Sequence, residues 1–241
     1  PAFRNSARMI ARMYDALHDP RRKDVLTVPT EWGGYTQRFF RAPHTVEEQV
    51  AQRDAIAEWQ KVAWGWMGRS PDYKGSFLAT LGANSQYYRG YEKNALRWYT
   101  QAQERTWYIN HAIMNPPVDR NKPTADTSDV YVRVTKETDA GIYVSGAKVV
   151  ATNSALTNYT FVAHAGQLPI KDPNYAPVFI VPTGAPGLKM ISRVSNEQRA
   201  AVLGSPFDYP LSSRMDENDA ILVLDNVFVP WEDVFMQIGR A

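Results

Sequence analysis

Apolar positions recur at helical spacing through the first half of the chain and at alternate positions through much of the second, so a helical part precedes a sheet part. Over residues 6–17, Met9, Ile10, Met13, Tyr14 and Leu17 share one face, and His18-Asp19-Pro20 closes the segment. Residues 25–40 keep no period, with a turn at Gly33-Gly34. Thr45 and Glu48 make a capping box, each side chain placed to satisfy a free N–H at a helix start. The helix it opens carries Val50, Ile56, Trp59, Val62, Ala63, Trp66 and Met67 and is expected to end by Gly68. Ser70-Pro71 signals another start, with Gly82 expected at its end. Asn84 is placed to cap a long helix carrying Tyr88, Tyr91, Ala95, Trp98, Tyr99 and Ala102 toward Ile109. The stretch WYINHAIMNPPVDR, residues 107–120, is predicted to be helical until Asn115-Pro116-Pro117, where proline removes an N–H and disfavours helical geometry before it.

After Pro123 the period drops to two. Strands are predicted at residues 130–134, 142–144, 148–152, 159–163, 178–181, 188–192, 221–224 and 227–229, with a turn at Thr138-Asp139-Ala140-Gly141. Helices followed by an antiparallel sheet give an α+β class, divided into a helical domain at 1–120 and a sheet domain at 121–241. The abrupt ends at Pro1 and Ala241 are read as those of a piece of a longer polypeptide.

Composition narrows the chemistry. The 27 basic and 25 acidic residues nearly cancel, so there is no electrostatic footprint for nucleic acid, and no long apolar span or signal pattern speaks for a membrane or for export. A cytoplasmic location is expected. With no cysteine, this stretch offers no disulfide, thiolate metal site or cysteine nucleophile. No histidine pair has metal-ligand spacing, so no metal is expected, and the phosphate-binding, dinucleotide and serine-hydrolase motifs are missing.

Six residues stand out. His111 lies just before the Pro-Pro stop with Asp119 and Arg120 just after, which brings a proton-exchanging imidazole and an anion-gripping guanidinium close together. Arg69 and Tyr73, four apart, can share one side of a helix start, and Thr152 ends a strand where a hydroxyl can face a ligand. Spacing alone leaves structural roles open for each. The charged residues Asp208, Arg214, Asp216, Glu217 and Asp219 are expected to form a solvated or inter-subunit loop.

Four runs carry a resemblance: WGWMGRSPDYKG at 64–75, INHAIMNPPVDRNKPT at 109–124, DVYVRVTKETDAGIYVSGAKVVATNSALTNY at 129–159 and GSPFDYPLSSRMDENDAILVLDNVFVPWEDVF at 204–235. Together they resemble the oxygenase component of the 4-hydroxyphenylacetate 3-monooxygenase family, over nearly the whole chain. The resemblance implies an acyl-CoA dehydrogenase-like fold with a helical N-terminal domain and a β-barrel-like middle domain, the C-terminal helical bundle that drives tetramer formation being missing here. It implies reduced FAD delivered by a separate NAD(P)H-flavin reductase, reaction with O₂ through a C4a-hydroperoxyflavin, and ortho-hydroxylation of a 4-substituted phenol, with 4-hydroxyphenylacetate the expected substrate. A relative acting on phenol, chloro- or nitrophenols or a secondary-metabolite phenol is the alternative, and a flavin-free binding protein on the same scaffold is the alternative of another class. By position, Arg69, Tyr73 and His111 match the family's catalytic and phenol-binding residues. His111, Ala112, Ile113, Asn115, Pro117, Val118, Asp119 and Arg120 match its flavin-contacting segment, and Thr152 the threonine near flavin N5. Residues 166–172 match the loop over the phenol. The related 4-hydroxybutyryl-CoA dehydratases need a cysteine-held iron–sulfur cluster, for which this stretch has no thiolate.

Overall fold

The computed structural model of the chain describes residues 3–67, 69–119, 121–165 and 170–236. Helix α1 (Arg4–Asp15) buries Met9, Ile10 and Met13, as their spacing predicts. A single turn, α2 (Lys23–Leu26), leads into a hairpin of β1 (Thr27–Pro29) and β2 (Tyr35–Gln37), where the sequence shows no period. Gly33 and Gly34, at φ 91° and 82°, supply its left-handed turn. Helix α3 (Val46–Ala63) starts at the capping box: Thr45 Oγ1 accepts the Glu48 N–H at 3.2 Å, while the Glu48 carboxylate accepts the His44 N–H at 2.7 Å, one residue earlier than the box requires. It ends before the expected Gly68, because Trp64 turns left-handed at φ 52°. Its buried line is Ala55, Trp59 and Ala63, and Val50 is exposed.

Helix α4 (Pro71–Ala83) begins at the Ser-Pro signal. The next helix starts later than Asn84: Ser85–Tyr87 is one 3-10 turn, Gly90 turns at φ 81°, and α5 runs Glu92–Arg105. Helix α6 (Asn196–Leu203), which no periodicity announced, is capped by Ser195 Oγ accepting the Gln198 N–H at 3.2 Å. No described helix is long and apolar enough to cross a membrane.

The chain forms two compact units. One comprises Pro1–Ala83, Trp98–Tyr108 and Val194–Asn218; the other Asn84–Arg97, Ile109–Arg193 and Asp219–Ala241. Both gather separate stretches and so cut across the contiguous 1–120 and 121–241 expected from the sequence. Within the first, Trp59 donates its indole N–H to Met13 O at 2.5 Å and stacks on Phe39 at 4.8 Å. A Cβ on Gly82 would fall 2.5 Å from the Tyr99 ring, so glycine permits this approach of α4 to the second half of α5.

The second unit holds β3 (Ile109–Ala112), β4 (Arg133–Thr138), β5 (Gly141–Lys148), β6 (Tyr159–Val162), β7 (Val178–Pro182), β8 (Leu188–Ser192), β9 (Ala220–Pro230) and β10 (Val234–Met236). They form two four-stranded sheets, in the orders β10-β7-β6-β3 and β4-β5-β9-β8. The helix predicted through residue 115 is corrected here: Thr106 turns at φ 49° after α5, and Ile109–Ala112 becomes an edge strand pairing parallel with β6, His111 opposite Phe161. The other pairs are antiparallel. Two predicted breaks are bulges within continuous strands. In β5, Gly146 at φ 129° leaves no room for a Cβ, which would lie 2.3 Å from Tyr131 O; in β9, Asn226 turns at φ 53° and its N–H bonds Ser145 Oγ at 3.0 Å.

Both sheets contribute to one core, Val162, Phe179, Val181 and Val234 from the first meeting Ile142, Val144, Leu222 and Val227 from the second. Each such buried side chain contributes about 1.5–3 kcal/mol. The class is α+β as expected, but among the described residues of the second unit the strands form two sheets sharing a core and no closed barrel.

Candidate functional site

In the first unit, the backbone of Arg69 is held from both sides. Its N–H donates to Glu217 Oε1 at 2.8 Å, and the Tyr108 hydroxyl donates to its carbonyl. The next residue, Ser70, accepts from Gln60 Nε2 at 2.7 Å and donates to Asp72, whose carboxyl is pushed up by burial. With the chain fixed there, the Arg69 guanidinium lies 4.5 Å above the centre of the Tyr73 ring. The Lys74 ammonium sits 5.2 Å from the same ring and 4.4 Å from that of Phe77. Burial, and then the charge of Arg69, lowers Lys74 to about 8. Two cations and a half-exposed aromatic ring thus share the start of α4, an environment that favours an anion over its conjugate acid.

In the second unit, β3 buries Ile109, Asn110 and Ala112, while His111, on the side of the strand that it shares with Ile109, is half-buried. Asn110 bonds at both ends of its amide: Nδ2 donates to the carbonyl of Thr152 at 3.1 Å, and Oδ1 accepts from Thr160 Oγ1 at 2.7 Å and Thr157 Oγ1 at 3.3 Å. Thr152 in turn donates its hydroxyl to Asp219 Oδ1 at 2.9 Å. The residues around it are strained, Val150 at φ 53° and Asn153 at φ 63°; asparagine tolerates that region, whereas a β-branched valine there costs about 1–3 kcal/mol.

Below β3, Lys148 ends β5 with its side chain fully buried. Its Nζ lies 2.9 Å from Asn115 Oδ1, 3.3 Å from Ile113 O and 3.3 Å from His164 Nδ1, which engages all three ammonium hydrogens. Burial lowers Lys148 to about 8; burial and then the Lys148 charge lower His164 to about 4. The neutral imidazole accepts at Nδ1 and carries its proton on Nε2, and a hydrogen bond with the Pro177 backbone offsets part of the fall. An unfolded lysine holds its proton to about 10.4, so between pH 8 and 10 the unfolded chain binds more protons than the folded one and stability rises with pH. Lys74 adds to the same rise. Urea unfolding at about pH 7.5 and 9.5 is expected to show it, and Lys148→Met to shrink it; a rise of the same size in that variant would mean that burial does not depress Lys148.

The residues singled out in the sequence fall into two groups. Arg69 and Tyr73 stand together in the first unit, while His111, Ala112, Ile113, Asn115, Pro117, Val118, Asp119 and Thr152 stand in the second. Ala112 is fully buried in the core, so only its backbone can serve a ligand. Asp119 Oδ1 accepts the Asn121 N–H at 3.0 Å in a local turn. Arg120 and, in the expected phenol loop, residues 166–169 lie outside the described residues.

The expected charged loop is solvated at Asp208 and Arg214, which are exposed, and is corrected at Asp216, Glu217 and Asp219. Asp216 is buried, its carboxylate accepting from the Asn196 amide and its backbone bonded to Ser6; Glu217 grips Arg69, and Asp219 takes the Thr152 hydroxyl. Sequence reading also missed Tyr108, Lys74, Lys148 and His164. The one signal was a lone lysine in the apolar run GAKVVA, a placement that demands a buried partner.

The profile of a family described as "4-hydroxyphenylacetate 3-hydroxylase N terminal" matches residues 1–236. The chain is 60% identical to a "4-nitrophenol 2-monooxygenase, oxygenase component" from a Rhodococcus species, over 98% of this chain and 45% of that protein. It is 59% identical, over 98% and 45%, to the (3S)-3-amino-3-(3-chloro-4-hydroxyphenyl)propanoyl-[peptidyl-carrier protein] monooxygenase of Streptomyces globisporus. Among solved structures, the oxygenase component of 4-hydroxyphenylacetate 3-monooxygenase complexed with FAD and 4-hydroxyphenylacetate superposes with a TM-score of 0.87 at 36% identity, covering 98% of this chain and 49% of that one. The chain spans about half the length of the curated relatives it matches.

Proposed function

Because the chain belongs to the 4-hydroxyphenylacetate 3-hydroxylase family, we propose that it forms the N-terminal half of the oxygenase component of a two-component FAD-dependent monooxygenase, converting a 4-substituted phenol to a catechol. In the overall reaction a phenol, O₂ and reduced FAD give a catechol, water and oxidised FAD. When bound, reduced FAD would supply the electrons that activate O₂, one atom of which passes to the ring while the other leaves as water.

The observation that carries this function is the electropositive aromatic corner at the start of α4, with Arg69 stacked on Tyr73 and Lys74 beside it. An electrophilic oxygen adds fastest to an electron-rich ring, so residues that stabilise phenolate over phenol lower the barrier. We assign that stabilisation to Arg69 and His111, and to Tyr73 a hydrogen bond to the phenolic oxygen. Each of the three is assigned by the role that its family position implies.

The residues of the second unit fit a flavin. An edge strand such as β3 presents backbone N–H and C=O groups away from its ladder, suited to the alternating donors and acceptors of the isoalloxazine pyrimidine edge. Lys148 braces the strand exit through Ile113 and Asn115, and Thr152 offers hydroxyl lone pairs. We assign His111, Ala112, Ile113, Asn115, Pro117, Val118, Asp119, Arg120 and Thr152 to flavin binding.

The substrates named for the relatives differ in their para substituents and share a phenol, so the common recognition element is the phenolic oxygen and its ring. 4-Hydroxyphenylacetate and 4-nitrophenol are the substrates to try first. A separate NAD(P)H-flavin reductase would supply the reduced cofactor, to a homotetramer in the cytoplasm.

The test uses the full-length protein with chemically reduced FAD, oxygen and a panel of 4-hydroxyphenylacetate, 4-nitrophenol and phenol, measuring catechol and H₂O₂ together. Catechol from a 4-substituted phenol with little peroxide is the expected result. Peroxide alone across the panel would contradict the proposed hydroxylation.

A further inference from the structure

Thr152 is held at both ends: its carbonyl accepts from Asn110 Nδ2 at 3.1 Å, and its hydroxyl reaches Asp219 Oδ1 at 2.9 Å. A threonine hydroxyl has a single hydrogen, and a carboxylate can only accept. In this pair the hydrogen therefore belongs to the bond with Asp219, and what the hydroxyl offers any further ligand is lone pairs. Asp219 is oriented for the task. Its Oδ2 accepts from Arg193 Nε at 3.3 Å and its carbonyl from the Arg193 N–H at 3.1 Å, while the neighbouring Ala220 carbonyl holds the Ala151 N–H at 3.0 Å. The left-handed residues Val150 and Asn153 fix the short segment on which Thr152 stands.

We propose that Asp219 is a positioning residue that makes Thr152 a hydrogen-bond acceptor only, and thereby makes the site select reduced over oxidised flavin. This rests on the flavin binding proposed above, with Thr152 beside flavin N5. Reduced flavin carries a hydrogen on N5 and donates to such an oxygen. Oxidised flavin has a bare lone pair at N5, which meets the lone pairs of the hydroxyl. Selection of this kind suits a protein that must take up reduced flavin from solution and let go of the oxidised product.

The variant Asp219→Asn inverts the arrangement. Arg193 Nε can only donate, so the amide oxygen turns to the guanidinium and the NH₂ group turns to Thr152. The hydroxyl then accepts from residue 219 and directs its own hydrogen toward N5, which favours the oxidised form. Asp219→Ala removes the acceptor without replacing it and is expected to shift the preference in the same direction by less.

The experiment is an anaerobic titration of the full-length protein with oxidised and with dithionite-reduced FAD, in wild type, Asp219→Asn, Asp219→Ala, Thr152→Val and the Thr152→Val/Asp219→Asn pair, with melting temperatures as a check on folding. Wild type is expected to bind the reduced form more tightly. Asp219→Asn is expected to lower the ratio of oxidised to reduced Kd about tenfold, equivalent to a fall of about 30 mV in the potential of the bound two-electron couple. In the Thr152→Val background the same change is expected to leave the ratio unmoved. A wild-type ratio in both Asp219 variants, or an equal fall without the Thr152 hydroxyl, would overturn the role of Asp219 while leaving flavin binding intact. If wild type binds neither form, or Thr152→Val alters the affinity for neither, the placement of flavin at Thr152 fails and the inference with it.

Discussion

Replacing His111 by alanine in the full-length protein is expected to cut catechol formation about a hundredfold while leaving the unfolding midpoint nearly unchanged. Loss of one donor aimed at charge developing in the transition state costs about 3 kcal/mol, which is that factor. The small effect on folding follows from the strand. Ala112 of β3 belongs to the shared core, and the half-buried imidazole lies on the opposite side of the strand, which it shares with Ile109, so its removal opens no cavity among the residues of that core. Single-turnover catechol yield at saturating reduced FAD, with a urea midpoint measured alongside, separates the two effects. Undiminished catechol would remove His111 from the mechanism.

The second large effect is expected at Arg69. Arg69→Ala should lower kcat/KM for the phenol by about a hundredfold, and Arg69→Lys should recover only part of it, because an ammonium keeps the charge but loses the planar stacking on Tyr73 at 4.5 Å. The backbone hydrogen bonds to Glu217 and Tyr108 do not involve the side chain and persist in both variants, so the corner keeps its shape. A by-product identifies the cause: Arg69 helps to hold Lys74 near 8, so Arg69→Ala should raise the Lys74 pKa toward the ordinary lysine value. Full activity in Arg69→Lys would show that charge alone suffices, and full activity in Arg69→Ala that the corner is not the phenol site.

Local rules read much of this molecule. The capping box at Thr45, the Ser-Pro start of α4 and the strands β6, β7 and β8 each depend on neighbours a few residues away, and each stands where the sequence puts it. The failures share a cause. Residues 107–115 mix apolar and polar positions in an order that fits either period, and what decides for a strand is pairing with β6, some 50 residues on. Asp216 looks like a solvated charge until its backbone meets Ser6, 210 residues away. Residue types at the candidate site were legible because Arg69, Tyr73, His111 and Thr152 lie in contiguous motifs. Their supports, Glu217, Tyr108, Asp219 and Lys148, come from distant stretches, and only folding brings each to its partner.

The measurement that bears most directly on the proposed function is oxygen tracing. The full-length protein, given chemically reduced FAD, ¹⁸O₂ and 4-hydroxyphenylacetate or 4-nitrophenol in unlabelled water, is expected to yield a catechol carrying a single ¹⁸O atom on the carbon ortho to the original hydroxyl. A catechol without label, or none from any 4-substituted phenol while flavin is oxidised, would contradict a flavin-dependent phenol monooxygenase.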